Sequence, residues 1–334
     1  MLLGFGAAVA SPTDDLLAAR FTWKCGAPLV APAVRPQDPC FSVKDPSIVF
    51  FGDRWHLFCT IRSRVRSHQI EYLSFADWVD AKSAEHRVMK LSDGYFCAPQ
   101  VFYFTPQRKW YMILQINDAS RKPSLQPAWS VTEDVANPDS WSKPTLLFAQ
   151  QPANVSHWID FWVICDERRA HLFFTSNDGH MWRSETKRAE FPGGWSQPKV
   201  VLEADVFEAS HTYKMKGLSK FLTIIEAQGH GRRYYKAYLA DQLDGKWEPL
   251  ADTQEHPFAG AANVHDTAGH WADSISHGEL LRDGYDEHLV ADPSRIRLLF
   301  QGVTDEAMRG KTYGEIPWRL GILEPEFKAR RDEP

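Results

Sequence analysis

Asp45-Pro46-Ser47-Ile48-Val49-Phe50-Phe51, followed after a short turn by Trp55-His56-Leu57-Phe58, reads as a strand that starts polar, a turn and a second apolar strand. The pattern returns in Pro99-Gln100-Val101-Phe102-Tyr103-Phe104 with Lys109-Trp110-Tyr111-Met112-Ile113, and in Ile159-Asp160-Phe161-Trp162-Val163-Ile164 with Ala170-His171-Leu172-Phe173-Phe174. It recurs in Glu208-Ala209-Ser210 leading to Phe221-Leu222-Thr223-Ile224-Ile225, and in His277-Gly278-Glu279-Leu280-Leu281 leading to Ile296-Arg297-Leu298-Leu299-Phe300. The starts are spaced by roughly fifty to seventy residues, which suits a propeller blade with variable loops. Five such units predict an all-β, five-bladed β-propeller; a β-sandwich with coincidental spacing is the alternative. Long amphipathic helical patterns are scarce, with a turn of helix expected around Ala81 to His86 and over Glu203 to Ala209.

Composition agrees with one large all-β unit. The chain has 334 residues, 43% hydrophobic, enough for a single extensive core. No Gly/Ser-rich or charged run divides it, so residues 21–325 are expected to form one propeller domain after an N-terminal extension over 1–20. A net charge of -5 provides no basic field for a polyanion, which argues against nucleic acid. Past the N-terminus no apolar run is long enough to span a membrane. Thirteen Trp need a reason. Packing in sheets accounts for most of them, with sugar stacking second for a few.

The opening Met1 to Ala10 is apolar or small and closes on Ala8-Val9-Ala10 before Ser11-Pro12-Thr13-Asp14-Asp15. It reads as the tail of a secretory signal, implying a secreted protein; a disordered or helical N-terminus on a cytoplasmic protein is the alternative. Of five Cys, Cys25 and Cys40 in a Pro-rich stretch are the candidates for a bridge, whereas Cys59, Cys97 and Cys165 sit in apolar strands as inert buried thiols.

In a propeller the first strand of each blade lines the central channel and its start points to one mouth. Those starts carry Asp45, Asp160, Glu208 and His277. A lone Asp before Pro is usually a turn residue and a lone Glu a solvated charge, but three carboxylates at equivalent points of three blades are a chemical feature. Hydrolysis of a glycosidic bond needs one acid to protonate the leaving oxygen and one carboxylate to activate water or attack carbon. A third acid would raise the proton donor's pKa by like-charge repulsion. His277 is either a metal ligand or a satisfied core histidine.

At this point the blocks Val43-Lys44-Asp45-Pro46-Ser47, Ala98-Pro99-Gln100-Val101, Trp158-Ile159-Asp160-Phe161-Trp162, Phe207-Glu208-Ala209-Ser210, Pro257-Phe258-Ala259-Gly260, Ile275-Ser276-His277-Gly278-Glu279 and Ile316-Pro317-Trp318-Arg319-Leu320-Gly321 matter together. In order and content they resemble the signature blocks of glycoside hydrolase family 62, over nearly the whole chain. The resemblance implies an inverting α-L-arabinofuranosidase acting on arabinoxylan or arabinan, with Asp45 as general base, Glu208 as general acid and Asp160 tuning and orienting Glu208. It implies Lys44, Gln100, Tyr313 and Arg319 as substrate-binding residues, a structural Ca²⁺ at His277 held largely through water, and a monomer. A neighbouring propeller glycosidase (β-xylosidase or arabinanase) and a non-catalytic carbohydrate-binding propeller are the other readings. The stretches Gln115-Ile116-Asn117 and Arg62 to His68, and Tyr313-Gly314 where the family has Tyr-Asn, depart from the pattern. These departures imply weaker action on arabinoxylan or another arabinose-bearing glycan, with Gly314→Asn expected to restore turnover.

Overall fold

A computed structural model describes residues 11–326. Five sheets of four or five strands form the blades of a five-bladed propeller. The channel-lining strands are Cys40–Phe51, Phe96–Phe104, Ile159–Cys165, Glu208–Met215 and Ser274–Leu280, each paired antiparallel to the next strand in its blade. These strands are buried on both faces, which explains their nearly unbroken apolar runs. Trp23, Trp110, Trp158, Trp162 and Trp318 are wholly buried and Trp141, Trp247 and Trp271 nearly so, so packing accounts for most of the thirteen Trp. No described helix is long and apolar enough to cross a membrane.

The fifth blade is completed from the other end of the chain. Trp23–Cys25 lies antiparallel to Arg319–Pro325, with Cys25 opposite Leu323, and Val264–Asp266 adds a parallel strand outside it. Residues 1–10, and with them the expected signal tail, lie outside the described residues. Residues 11–20 hold one short helix, Pro12–Leu17, capped by Ser11.

Blades are tied to one another around the channel by buried polar groups. Val101 N–H donates to Ser47 Oγ at 2.9 Å, Trp162 Nε1 to the Thr212 carbonyl at 2.9 Å, and His211 Nδ1 to the Gly278 carbonyl at 2.7 Å. Gln100 binds Val163 with both ends of its amide, donating to the carbonyl and accepting from the N–H, both at 2.7 Å. Arg282 closes the ring by donating to the Ile48 and Val101 carbonyls, each at 2.8 Å, while pairing with Glu279 at 2.7 Å.

The segment after the fifth channel strand crosses the far mouth. Tyr103 N–H donates to the Tyr285 carbonyl at 2.8 Å, Cys165 N–H to Glu287 at 2.8 Å and Lys214 N–H to Leu289 at 3.2 Å, so blades two, three and four share one plug. Glu287, wholly buried, accepts from Thr105 N–H (3.0 Å), Thr105 Oγ1 (2.7 Å) and the Arg188 guanidinium. Burial pushes its carboxyl up, but these donors outweigh burial and hold it below its ordinary 4.5. A carboxyl held down in the fold contributes stability above its unfolded pKa and loses it as pH falls through the folded value. Glu287→Gln should therefore melt earlier than the unmodified protein at pH 7, with the gap narrowing below about pH 4.5. A gap of constant size across thermal melts from about pH 7 to about pH 3.5 would show that the charge contributes nothing.

Two local expectations are corrected. Cys25 and Cys40 are not bridged; all five thiols are free. Cys25 is held in the closing strand, and Cys40 opens the first channel strand with its Sγ 3.0 Å from Arg35 Nη1. Glu203 to Ala209 contains no helix, since Glu203 ends one strand and Glu208 begins the next; near Ala81 a 3₁₀ turn spans Trp78–Ser83.

Candidate active site

Every channel strand breaks register close to its start: between Lys44 and Ser47, Cys97 and Gln100, Ile159 and Trp162, Glu208 and His211, and Ser276 and Gly278. In four blades the bulge holds a non-glycine residue in the left-handed region: Asp45 (φ 48°), Ala98 (49°), Asp160 (56°) and Ala209 (55°). Such conformations cost of order 1–3 kcal/mol each and are kept where they aim side chains. Asp45 and Asp160 occupy the same bulge position, as the repeat suggested. Glu208 does not: it precedes the left-handed residue and sits opposite Glu226, as Lys44 sits opposite Thr60. Counting strand starts could not show this offset of one residue, because the bulge absorbs it.

At this mouth the structure gathers Lys44, Asp45, Asp160, Glu208, His277 and Tyr313. Lys44 Nζ lies 3.4 Å from Asp45 Oδ2 and 3.3 Å from the Tyr313 hydroxyl. Burial disfavours the ammonium, but Asp45 and Tyr313 outweigh it and hold Lys44 charged. His277 Nδ1 lies between two acids, 3.5 Å from Asp45 Oδ1 and 3.6 Å from Asp160 Oδ2. Burial drives its pKa down to about 3, with Lys44 and Arg233 adding to the effect against Glu208, so the imidazole is neutral. Asp160 is pushed well above the carboxylate range, first by burial and then by Glu208 and Asp45. Its Oδ2 has no hydrogen-bond partner among the described residues.

Glu208 is held by groups that sequence reasoning missed. Arg233 places Nη1 on both Glu208 and the wholly buried Glu226, and Asn177 Nδ2 donates to Glu208 Oε2 at 3.3 Å. Burial, against the pull of Arg233, raises Glu226 to about 7. Its Oε2 accepts from Ser276 Oγ at 2.5 Å and His277 N–H at 2.7 Å. A carboxylate at the end of the apolar run Leu222 to Ile225 is the signal that could have found Glu226. Arg233, beside Arg232, reads as one of two solvated charges.

Gln100 and Arg319 have no hydrogen bond or ion pair to the three acids among the described residues. Gln100 is an inter-blade tie, with its Oε1 and one N–H engaged by Val163. Arg319 lies over the Trp271 ring at 5.5 Å, with no hydrogen bond or ion pair to the carboxylates. Tyr313 and Lys44 meet at the mouth that holds the acids. A Cβ on Gly314 would fall 2.8 Å from Arg62 Nη1, so the flexible end of Arg62 would have to move to admit a side chain there. Among the described residues no three His, Cys, Asp or Glu side chains gather as a cation's ligand set. The neutral His277 and the unpartnered Asp160 oxygen would suit a hard cation only with water completing its shell.

A paired base and acid with a buried third carboxyl is the equipment of glycoside hydrolysis. The model of glycosyl hydrolase family 62 matches residues 29–324. Alpha-L-arabinofuranosidase C of Cellvibrio japonicus (strain Ueda107) is 39% identical over 316 residues, 92% of this chain; the chain spans 47% of that relative's length. The solved catalytic domain of a Coprinopsis cinerea family 62 α-L-arabinofuranosidase is 36% identical with a TM-score of 0.87, covering 92% of this chain and 98% of that one. A family 62 hydrolase solved with xylotriose is 33% identical with a TM-score of 0.85, covering 92% and 98%. By sequence and by fold, the chain belongs to glycosyl hydrolase family 62.

Proposed function

We propose that the protein is an inverting α-L-arabinofuranosidase that removes arabinofuranosyl side groups from arabinoxylan or a related arabinose-bearing glycan. The observation that carries this is the meeting of Asp45, Asp160 and Glu208 at one channel mouth of a family 62 propeller. Asp45 takes a proton from the attacking water, and Glu208 gives one to the leaving oxygen. Asp160, buried at the same mouth, tunes and orients Glu208. Lys44 and Tyr313 hold sugar hydroxyls. The solved relative with xylotriose supports a xylan backbone. A polymer substrate also supports action outside the cell, as the Met1 to Ala10 stretch suggests.

Release of arabinose from a 4-nitrophenyl α-L-arabinofuranoside and from wheat arabinoxylan, with the β-anomer as first product by NMR, is the expected result. Xylose release, or oligosaccharides from linear arabinan, would instead favour a neighbouring glycosidase. Absence of turnover would favour a binding propeller.

At the rim, Arg62 alters the prediction for Gly314. Alone, Gly314→Asn must push Arg62 aside and is expected to lower arabinoxylan turnover rather than restore it. Arg62→Ala with Gly314→Asn opens the space and should raise turnover several-fold, about 1 kcal/mol for one recovered hydrogen bond. Steady-state rates of the two variants on arabinoxylan decide this, and a gain from Gly314→Asn alone would refute it.

Ca²⁺ at His277, coordinated otherwise by water, is part of the same proposal. The ion would offset the charge of the surrounding acids and stiffen the channel mouth. Chelation should lower the melting temperature by several degrees and re-addition of Ca²⁺ restore it. An unchanged melt, with no divalent metal by elemental analysis, leaves His277 a core histidine between Asp45 and Asp160.

A further inference from the structure

Glu208 and Glu226 are direct cross-strand neighbours in the fourth blade, a pairing that like charges oppose. Arg233, from the third strand of that blade, resolves the conflict by contacting both. Its guanidinium is confined between the Phe207 ring at 4.9 Å and the Tyr313 ring at 5.0 Å. The other oxygen of Glu226 is occupied by Ser276 Oγ and His277 N–H. From Ser276 the contacts run on through Gln301, whose Nε2 donates to Ser276 Oγ at 3.0 Å and whose Oε1 accepts from Asp45 N–H at 2.8 Å. Glu226 is wholly buried with every oxygen engaged, so it has nothing to offer a sugar directly.

We propose that Glu226 is a positioning residue for proton donation by Glu208, acting through Arg233, and that Ser276 and Gln301 link this support to the backbone of Asp45. Glu208 must be held in place and yet keep a proton to give. A carboxylate paired one-to-one with a guanidinium loses its proton readily. Glu226 anchors Arg233 so that it steadies Glu208 without belonging to it alone. The same chain of contacts fixes the distance between the two carboxyls that work on opposite faces of the sugar.

The inference rests on the glycosidase reading, and the two can fail separately. Arabinose release by the unmodified protein tests the reading; the dependence on leaving group tests the inference. Glu226→Gln and the milder Ser276→Ala are compared with the unmodified protein on a methyl and a 2,4-dinitrophenyl α-L-arabinofuranoside. The dinitrophenolate departs without protonation, whereas the methoxide needs it. For Glu226→Gln we expect kcat on the methyl glycoside to fall about 10–100-fold, at most a few-fold on the dinitrophenyl glycoside, with KM little changed. Ser276→Ala should show the same split, smaller. Equal losses on both substrates in both variants would make Glu226 a structural residue, and unchanged kcat on the methyl glycoside would remove it from the reaction; either result overturns the proposal.

Discussion

Asp45→Ala and Glu208→Ala should each give a folded protein whose hydrolysis of arabinoxylan has dropped by about 10²–10⁴-fold. Each side chain lies just before the apolar part of a channel strand, and that part holds the strand in the fold: Ile48 and Val49 in one case and Tyr213 and Met215 in the other. Removing either carboxyl relieves repulsion on Asp160 but takes a buried partner from Lys44 or Arg233, so the melting temperature should fall while the fold is kept. The two losses differ in kind. Without Glu208 the activated dinitrophenyl glycoside should still turn over, because its leaving group needs no proton. Without Asp45 no such escape exists, since water must be activated for every substrate. Turnover near the unmodified rate in either variant, with circular dichroism unchanged, would end the assignment of base and acid.

The largest expected loss of stability lies at Arg282. Its side chain is buried against the wholly buried Glu279, and it also satisfies two carbonyls on blades one and two. Arg282→Ala strands a carboxyl in the core and leaves two backbone acceptors unpaired. Breaking a buried pair from one side costs about 3–5 kcal/mol, a fall in melting temperature on the order of 10 °C. Glu279→Leu combined with Arg282→Met, which removes both charges while keeping bulk, should recover part of that loss. A double variant no better than Arg282→Ala would show that the two carbonyl bonds matter more than the stranded charge.

The blades are legible in the chain because each channel strand is a polar start followed by an apolar run, and burial on both faces demands that composition. Asp45, Asp160 and His277 are legible for a related reason: they interrupt such runs where solvent would otherwise be excluded. The strand Trp23–Cys25 is not, because three residues have no periodicity and their partner Leu323 lies at the far end of the chain. Gln100 reads from sequence as a sugar ligand because an amide at a channel mouth has donors and an acceptor to offer, and its two bonds to Val163 depend on a neighbouring blade that sequence order does not place beside it. Glu226 and Arg233 escaped because their meaning is mutual: one reads as the end of an apolar strand and the other as surface charge. The absence of a Cys25 to Cys40 bridge has the same root, since proximity in sequence carried no information about which blade each thiol joins.

The closure of the fifth blade also sets an order of events during synthesis. The strand Trp23–Cys25 is made early, yet its partner Arg319–Pro325 emerges about 300 residues later, so the ring cannot be sealed until nearly the whole chain is available. Blades one to four can assemble in sequence as they leave the ribosome, each from local hairpins. Through that interval the edge of the early strand that Arg319–Pro325 will cover stays unpaired, even once Val264–Asp266 has joined the other edge, and the fifth blade stays open to other strand edges. A nascent chain halted before residue 319 would carry Asp45, Asp160, Glu208 and His277 complete and still lack the strand that locks the circle around them.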